Sequence, residues 1–418
     1  MRIAVLGAGL AGVTSAWYLA RDGHQVTVVD RQPGAGLETS FANGAQISVS
    51  HPEPWANPGA PLTVLRWLGR EDAPLLFRPR ADLQQWRWSL AFLRECLPAR
   101  TRHNTDAIAR LAMFSLASLR ELRAQTDIAY DQSSSGILQT FYTQRDWTHA
   151  ETNAQRLRDY GMEAQTCSPA RCIEIEPALA DCRDTLYGGL YAPQDETGDA
   201  HLFVQQLTDR CRDEGVRFCF ERTVEKLVLE GGLVSRVMLQ TPAGSTERLS
   251  ADAYVLALGS YTTAHAAALG ERLPIYPVKG YSVTIALGEH ALAPHVSITD
   301  ESHRIVCSRL GNRLRIAGTA ELAGYDNSIN RVRCEAILAR ACTLFPRLGD
   351  TRGAEFWAGL RPATPSNVPI IGPSRLPNLW FNSGHGTLGW TLGCGSARAL
   401  AALIGGRAAP VDFPFRKP

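Results

Sequence analysis

Three glycines near the N-terminus have the spacing of a phosphate-binding turn. Gly7, Gly9 and Gly12 follow the apolar run RIAVL and precede the amphipathic run VTSAWYLARDG. The first permits a tight turn, the second lets the backbone approach a pyrophosphate, and the third lets a helix pack closely on a strand. The helix N-terminus adds unpaired N–H groups and a partial positive charge. We therefore predict a phosphate site formed by these glycines together with Ala8, Leu10 and Ala11.

An acidic residue ends the next predicted strand, QVTVVD. Asp30 can accept hydrogen bonds from ribose hydroxyls there, and it would repel a 2′-phosphate, which argues against NADP. This strand–turn–helix–strand unit predicts dinucleotide binding, and the predicted site includes the adjacent Arg31. The motif by itself does not distinguish FAD from NAD.

A polar segment, ETSFANGAQIS, follows at residues 38–48. Its hydroxyl, amide and glycine residues can bind pyrophosphate oxygens or the edge of a flavin, but the same residue types are equally common in surface turns. Both interpretations remain open at this point. The candidate cofactor-binding residues of the segment are Thr39, Ser40, Asn43, Gly44, Ala45 and Gln46.

A second glycine-rich loop precedes a helix near the C-terminus. NLWFNS predicts a strand, GHGTLG a loop and WTLGCGSARALAALIGG a helix. The positive end of that helix suits an anion, and the N1–C2=O region of a flavin becomes negative on reduction. An NAD dehydrogenase has no need of this second site, so the loop favours FAD. Its candidate residues are Gly384, His385, Gly386, Thr387, Leu388 and Gly389.

Two further strand ends are candidates for cofactor contact. Val224, just past the predicted strand VRFCF, could meet an adenine through its backbone, although an ordinary strand residue fits the position equally well. The apolar strand YVLALG ends at Ala257 and Gly259, where it can lie over a cofactor.

The elements that position these residues are those of an α/β protein. A chain of 418 residues is too long for one core and suits two domains. β-rich patterning over residues 275–357 indicates the larger part of a substrate-binding sheet. The net charge is only +2, whereas nucleic-acid-binding proteins are usually strongly basic, so no nucleic-acid partner is predicted.

The cysteines and the hydropathy of the chain indicate where in the cell the protein is expected. The ten cysteines include no CxxC pair, so no metal site is predicted. A chain of this size needs no disulfides, which favours reduced thiols and a cytoplasmic location. No apolar run reaches the roughly eighteen residues of a transmembrane helix. The glycines of the N-terminus fit the nucleotide motif better than a signal peptide.

The stretch at residues 51–100 is rich in Pro, Trp, Arg and Leu. Leu83, Trp86, Leu90 and Leu93 fall at helical spacing with arginines between them. They could enter the headgroup region of a membrane while the arginines contact anionic lipid. Alternatively, the helix buries this stripe in the second domain, which is the interpretation we favour.

Several motifs together resemble one family. The N-terminal glycine motif, ETSFANGAQIS, PVKGYS, GLRPATPSNVPIIG and NSGHGTLGWT are similar to the D-amino acid dehydrogenase small-subunit family, within the wider group of D-amino acid, glycine and sarcosine oxidases. The resemblance extends from residue 1 to about residue 406. It implies an α/β fold with a discontinuous Rossmann-like FAD domain (1–50, 196–272 and 357–418) and an α+β substrate domain with a mixed sheet (51–195 and 273–356).

The resemblance also implies roles for single residues. Arg361 of GLRP matches the arginine that binds the substrate carboxylate in related glycine oxidases, and an arginine fork suits that task. The alternative is that it pairs with a structural acid. Lys279 and Tyr281 of KGYS match a segment that lines the flavin and substrate; Tyr281 could bind the carboxylate, and Lys279 could lie near the flavin through a water. Gly359 is expected to contact the cofactor. His385 is expected to help place the flavin rather than to act as a base.

One segment departs from the family pattern. ISVSHPEPWANPG could line the active site, so His51, with Glu53 and Trp55, could narrow or shift the substrate preference. GLRPATPS contains no cysteine that could tether the flavin, so noncovalent FAD is expected.

The activity implied by the resemblance is FAD-dependent oxidative deamination of D-amino acids to 2-oxo acids and ammonia, by hydride transfer from Cα to flavin N5. Electrons would pass to a quinone or another respiratory acceptor, which fits peripheral contact with the inner face of the cytoplasmic membrane. Alternatives are a dehydrogenase of D-hydroxyproline, D-proline or sarcosine, and a non-catalytic flavin-binding subunit of a larger complex. An NAD-dependent dehydrogenase is disfavoured by the C-terminal loop.

Overall fold

A computed structural model describes residues 1–67, 69–71 and 73–418. The strands of these residues, β1 to β20 in chain order, are Arg2–Leu6, Gln25–Val29, Gln46–Ile47, Leu75–Phe77, Ile137–Phe141, Gln165–Cys167, Gly188–Ala192, Glu196–Thr197, Arg217–Cys219, Thr223–Glu230, Leu233–Gln240, Thr246–Leu249, Ala253–Leu256, Tyr276–Ala286, Ser297–Asp300, Ile305–Leu310, Arg313–Leu322, Glu355–Ala363, Ile370–Pro373 and Leu379–Ser383. The α-helices, α1 to α11, are Leu10–Arg21, Ala60–Trp67, Leu83–Glu95, Pro98–Thr126, Gln144–Thr148, Ala150–Asp159, Pro169–Ile175, Ala200–Asp213, Thr262–Ala268, Arg331–Leu344 and Gly389–Ile404.

The first sheet has six strands in the order β19-β20-β13-β1-β2-β9. β1 pairs in parallel with both neighbours, and Leu6 lies opposite Val29 and Leu256. Its apolar residues are buried on both faces, as a parallel sheet requires. Ile3 belongs to the cluster formed with α1, α8 and α11, whereas Ala4 packs on the side of β10 and β11. Because carboxyl ends of parallel strands meet at one edge, the loops after β1, β2 and β13 converge there.

The second sheet has nine strands, eight of them in the order β18-β14-β17-β16-β15-β5-β7-β6, with β4 paired to β17. In antiparallel β14 and β18, Gly280 lies opposite Gly359 and Tyr281 opposite Ala358. Successive side chains of a strand point to opposite faces. Arg361 therefore shares a face with Gly280, while Tyr281 points to the face covered by α10. The predicted fold class is confirmed: an α/β protein with a Rossmann-like, mainly parallel sheet and a second, mixed sheet.

The course of the chain differs from the predicted domain bounds in two places. Helix α4, in the segment predicted for the substrate domain, packs on α11, because Gly395 lacks a side chain and its N–H donates to Ser115 Oγ over 3.0 Å. Strand β18 begins at Glu355 and lies in the second sheet, so the predicted boundary at 357 falls inside a strand. The other bounds stay a prediction.

The favoured interpretation of the Leu83–Leu93 stripe was wrong. Leu83 and Leu90 are 62% and 68% exposed, and Trp86 and Leu93 are exposed too. Helix α3 packs through its other side, where the buried Gln85 side chain donates to the carbonyls of Arg78 and Leu322. The apolar stripe thus lies on the protein surface. In the described ranges, no helix combines the length and hydropathy needed to cross a bilayer.

Candidate active site

A cavity of about 1500 Å³ lies between the convergent loops of the first sheet and the open face of the second. Sites for one small ligand measure roughly 300–1,000 Å³. This cavity is therefore large enough for a dinucleotide together with a smaller molecule. It is lined on one side by the loops after β1, β2 and β13, and on the other by residues of β14, β17 and β18.

The N-terminal glycines form the floor of the cavity on the side of the first sheet. Gly7 has φ +110°, and a Cβ there would lie 2.4 Å from the carbonyl oxygen of Ala257. A Cβ on Gly12 would lie 1.8 Å from the oxygen of Gly7. Gly9 lines the cavity, and the nearest atom to a Cβ there is Ser40 Oγ at 3.6 Å. The backbone at Gly9 is thus open to a ligand, as a pyrophosphate site requires.

Replacing Gly12 with alanine is expected to abolish tight FAD binding. The new methyl group would collide with a backbone oxygen, which cannot rotate away, so the start of α1 must move off β1. The measurement is flavin content and thermal unfolding of the purified variant. Gly353→Ala is the matched control, since no atom lies within 4 Å of a Cβ at that position. Normal flavin content in the Gly12 variant would contradict this account.

Asp30 organises the same turn. Its carboxylate accepts hydrogen bonds from the N–H groups of Ala8, at 2.6 Å, and Gln32, at 2.8 Å. Burial raises the pKa of Asp30 despite these donors. The residue lines the cavity, and a carboxylate has further acceptor sites for ribose hydroxyls. The adjacent Arg31 lies over the ring of Tyr261, with its Cζ 4.1 Å from the centroid.

The segment predicted either as a cofactor contact or as a surface turn lies between the two sheets and lines the cavity. Its hydroxyl Thr39 Oγ1 donates to the carbonyl of Leu360 over 2.9 Å, and Ser260 Oγ donates to the same carbonyl over 3.0 Å. Ser40 Oγ accepts the N–H of Leu10 at 3.1 Å. The segment therefore joins the glycine turn to β18 of the second sheet.

The rest of this segment contacts the second sheet. Asn43 Oδ1 accepts the N–H of Ala45 at 3.0 Å, and Ala45 has φ +62°. A Cβ on Gly44 would lie 2.9 Å from a methyl group of Val306. Gln46 Nε2 donates to the hydroxyls of Ser297 and Thr299, over 2.9 and 3.0 Å. These contacts fix the segment across the cavity.

The predicted cofactor residues at later strand ends also reach the cavity. Val224 and Ala257 line it, and so does Gly259, which has φ +55°. Three predicted residues of the glycine loops, Ala8, Gly12 and Gly384, do not line the cavity. Gly12 and Ala8 instead hold the turn in shape, through the close approach to Gly7 and the bond to Asp30.

A buried carboxyl that the sequence analysis missed supports residues 48–50. Asp195 accepts hydrogen bonds from the N–H of Val49 at 3.0 Å and from both the N–H and the hydroxyl of Ser50, at 3.2 and 2.5 Å. Ser48 Oγ donates to it over 3.3 Å. Ser48 and Ser50 line the cavity, and the N–H of Ser48 donates to Thr391 Oγ1 in α11. Asp195 does not line the cavity itself, but its hydrogen bonds hold in place residues 48–50, which form part of the cavity wall.

Asp195 is expected to make stability depend on pH. Burial raises its pKa from 3.8 to about 7, so the folded state holds this proton more tightly than the unfolded chain. The resulting stabilisation is complete below about pH 4 and is lost as the pH rises through 7. Asp195→Asn, which has no carboxyl proton, should therefore lose less stability between pH 5 and pH 8 than the unchanged protein.

The measurement is the unfolding temperature of both proteins, holding FAD, at the two pH values. Buried histidines such as His385 give an opposite slope over the acidic part of this range, but they are common to both proteins and cancel in the comparison. Equal pH dependence of the two proteins would contradict the assigned pKa.

The C-terminal loop meets the cavity at residues 385–389. His385 is fully buried, and its Nε2 lies 3.0 Å from Ser396 Oγ. Burial lowers the pKa of His385 to about 4, so the ring is neutral at neutral pH. Gly384 has φ +84° and Gly386 φ +55°, which explains the glycines on both sides of the histidine. Through its contact with Ser396 of α11, His385 therefore orients the loop that precedes this helix.

Arg361 lies on the cavity side of β18. Its Nη1 donates to the carbonyl of Thr319 over 2.9 Å. Burial and, to a lesser extent, nearby Arg333 lower the pKa of Arg361 to about 10, and the group stays charged at neutral pH. No carboxylate of the described residues forms an ion pair with it, so the alternative of a structural acid partner finds no support there. A buried cation without an anion is suited to bind an anionic ligand.

The polar ends of the Lys279 and Tyr281 side chains bond to other residues of the protein. Lys279 is buried, with Nζ 3.1 Å from Asp326 and 3.7 Å from Glu321. The Tyr281 hydroxyl donates to Glu321, and Arg333 lies over its ring. Tyr281 contributes to the cavity wall, whereas Lys279 does not. The expected bond from the Tyr281 hydroxyl to a substrate carboxylate is therefore not supported, because alternation along β14 points this side chain towards α10.

The divergent segment reaches the cavity as expected. His51, Glu53 and Trp55 line it, and the N–H of Trp55 donates to Asn367 Oδ1 over 3.0 Å. His51 is half-exposed, with Nδ1 3.6 Å from Glu301 Oε1. The structure thus places these residues where they can contact a ligand.

Sequence reasoning missed further residues of the cavity. Trp357 lines it, and a Cβ on Gly359 would lie 2.1 Å from the Trp357 ring, so this glycine makes room for the indole. Gly280 makes room for Arg361 in the same way, since a Cβ there would lie 2.2 Å from Arg361 Cζ. Glycines inside predicted strands were the available signal for both contacts. No signal in the sequence indicated Thr319.

Comparisons with known proteins agree over the length of the chain. A family model described as FAD dependent oxidoreductase matches residues 2–403. A D-amino acid dehydrogenase of Dechloromonas aromatica is 54% identical over 416 residues, 99% of each chain. One of Paramagnetospirillum magneticum is 51% identical, over 99% of this chain and 97% of its own. Glycine oxidase of Bacillus cereus has a TM-score of 0.74 at 21% identity, covering 97% of this chain and 95% of its own, a likeness of fold alone.

Proposed function

Because the chain belongs to the FAD-dependent oxidoreductase family, as its motifs predicted, we propose that it is a D-amino acid dehydrogenase. The relatives that are 54% and 51% identical carry that name. The observation that carries the proposal is Arg361, a charged group on the cavity wall whose guanidinium has no acidic partner in the described part of the chain. An amino acid brings the carboxylate that this group lacks.

The residues on the side of the first sheet fit FAD. The open backbone at Gly9 and the N-terminus of α1 suit the pyrophosphate, and Asp30 suits the ribose hydroxyls. The loop at residues 385–389, before α11, suits the flavin ring. No cysteine tether is assigned, so we propose noncovalent FAD. When bound, FAD supplies the two-electron oxidant that accepts the hydride from Cα.

The chain's own part in the reaction is to bind and orient. Arg361 would hold the carboxylate, and the cavity wall at His51 and Trp357 would limit the substrate side chain. The substrate loses the Cα hydrogen with its electron pair and one proton from nitrogen, forming the C=N bond of an imino acid. Addition of water then releases ammonia and leaves the 2-oxo acid. His385, buried and bonded to Ser396, is not needed as a base.

The test is anaerobic titration of the purified, FAD-containing protein with a panel of D- and L-amino acids, followed by flavin absorbance. Bleaching by several D-amino acids is the expected result. Bleaching only by D-proline, cis-4-hydroxy-D-proline or sarcosine would replace the proposal with a dehydrogenase of secondary amines. No bleaching by any amino acid would overturn enzymatic activity of the isolated chain and favour a flavin-binding subunit of a larger complex.

We also propose that a membrane quinone or another respiratory acceptor reoxidises the enzyme, and that the protein contacts the inner face of the cytoplasmic membrane. Support comes from seven exposed apolar residues of α2, of α3 and just after α3, together called the α2–α3 surface: Leu62, Leu65, Leu83, Trp86, Leu90, Leu93 and Leu97. Arg87 and Arg94 are exposed among these residues, which suits anionic headgroups. Thr63 and Val64 of α2 line the cavity, so the α2 part of this surface lies beside it.

Flotation with phosphatidylglycerol vesicles tests this contact. The double variant Leu62→Gln, Leu65→Gln is expected to bind the vesicles several-fold less, since each leucine loses its apolar burial in the bilayer. Leu292→Gln is the matched control, because Leu292 is an exposed leucine outside α2 and α3, and its N–H donates to the carbonyl of Arg347. Equal flotation of all three proteins would remove the α2–α3 surface as the contact.

A further inference from the structure

Thr319 has a backbone conformation that a β-branched residue rarely adopts. Its φ is +56°, in the left-handed region. It lies at a β-bulge: Lys279 pairs with Glu321 and Tyr281 with Gly318, so Gly280 alone lies opposite the two residues 319 and 320. Bulges and strained residues recur near binding sites, where they redirect a side chain.

The bulge brings Thr319 to Arg361. The carbonyl of Thr319 accepts a hydrogen bond from Arg361 Nη1 at 2.9 Å. The guanidinium lies against Gly280, the residue opposite the bulge. Both sides of the bulge therefore hold the charged group in place, and Thr319 is adjacent to whatever anion that group binds.

The hydroxyl of Thr319 has no hydrogen-bond partner among the described residues, although its oxygen is buried. The residue lines the cavity and is only 8% exposed. Other hydroxyls of this sheet are bonded: Thr299 Oγ1 to Gln46 and Ser282 Oγ to the carbonyl of Ala42. Buried polar groups are nearly always paired, so an unpaired hydroxyl on a residue that lines the cavity points to a partner from outside the chain.

We propose that the Thr319 hydroxyl donates a hydrogen bond to the substrate carboxylate, beside the guanidinium of Arg361. This rests on the proposed function, in which Arg361 binds that carboxylate. One residue then has two tasks: its carbonyl orients the arginine, and its hydroxyl binds the same anion. A hydroxyl donor supplements the arginine fork, one of whose N–H groups is engaged by the Thr319 carbonyl.

The test compares Thr319→Val with Thr319→Ser in the FAD-containing protein. The ligands are 2-methylalanine, an amino acid without a Cα hydrogen, and propanoate, which lacks the amine; binding is followed by the flavin absorbance change. Loss of a hydrogen bond to a charged group should raise the Kd of both ligands by roughly tenfold or more in the valine variant. The serine variant, which keeps the hydroxyl, should bind nearly as the unchanged protein does.

Thr208→Val is the matched control. Its buried hydroxyl bonds the carbonyl of Val204 within α8, away from the cavity, so its removal should leave both Kd values unchanged. If the valine variant does not retain FAD, the pair Thr319→Ala and Thr319→Ser makes the same comparison without a β-branched side chain.

Two outcomes would overturn the assignment. Unchanged Kd values for the variants without the hydroxyl would mean that the hydroxyl does not contact the ligand. Weaker binding of 2-methylalanine alone would move the contact from the carboxylate to the amine. Failure of the proposed function is distinguishable, since the unchanged protein would then bind neither ligand and no amino acid would bleach its flavin.

Discussion

Arg361→Leu is expected to lower kcat/KM for D-amino acids by roughly 100-fold to 1,000-fold, as loss of one partner of a buried charge pair does. The substrate carboxylate would enter a desolvated site without its counter-ion. FAD should remain bound, because the hydrogen bond of this side chain goes to Thr319 and not to a residue proposed to bind the cofactor. The measurement is steady-state turnover with an artificial electron acceptor, together with the flavin content of the variant.

Arg361→Lys serves as the chemical control for this prediction. It keeps a positive charge but loses the planar fork and the reach of the guanidinium, so an intermediate kcat/KM is expected. Unchanged kcat/KM in the leucine variant would mean that another group binds the carboxylate.

Gly280→Ala is expected to impair catalysis without touching the substrate directly. A methyl group there would lie 2.2 to 2.6 Å from the guanidinium atoms of Arg361. The end of an arginine side chain can move, so the protein should fold and bind FAD, but the guanidinium must leave its place on the Thr319 carbonyl. A misplacement of about 1 Å can cost roughly 100-fold in rate, and we expect a loss of that order in kcat/KM.

Two comparisons make this prediction specific. Gly288→Ala, just after β14, should have normal activity, because no atom lies within 4 Å of a Cβ at that position. Gly280→Ala combined with Arg361→Leu should be no worse than Arg361→Leu alone, since both changes act through one guanidinium. Additive losses in the double variant would show that Gly280 acts by another route.

The cofactor side of the cavity was the part best predicted from the sequence. Gly7, Gly9 and Asp30 follow β1 and β2, which pair in parallel, as a right-handed strand–helix–strand connection predicts. Parallel strands bring their carboxyl ends to one edge, so residues far apart in the chain, such as Ala257, could be placed together without knowing any distance. The loop before α11 was predictable for the same reason.

The substrate side could not be predicted as well. Alternation puts Lys279 and Tyr281 on one face of β14 and Gly280 on the other, but the sequence does not indicate which face meets the cavity. The bulge at Thr319 depends on pairing between β14 and β17, so it leaves no local pattern. Asp195 was not predicted because its role depends on hydrogen bonds to residues 48–50, which are far from it in the chain.

The exposed stripe of α3 shows a related limit. Helical spacing of Leu83, Trp86 and Leu90 identifies an apolar face, yet the same spacing fits a face buried in the protein or a face left on its surface. Gln85, a polar residue, occupies the buried side through three hydrogen bonds. An amphipathic helix is usually expected to bury its apolar face, but a polar face can be buried instead when its side chains have hydrogen-bond partners inside the protein.

The carbonyl of Leu360 accepts hydrogen bonds from Thr39 and Ser260, and Leu360 precedes the arginine proposed to bind substrate. If a ligand on one side moves this carbonyl, the affinity on the other side is expected to change, and the coupling must be reciprocal. A change of substrate preference that moves the backbone of β18 is therefore expected to change flavin retention too, whereas a change of side chain alone is not. A selection for a new substrate in this scaffold should therefore be run at low as well as high FAD concentration, so that variants with weakened FAD binding are detected.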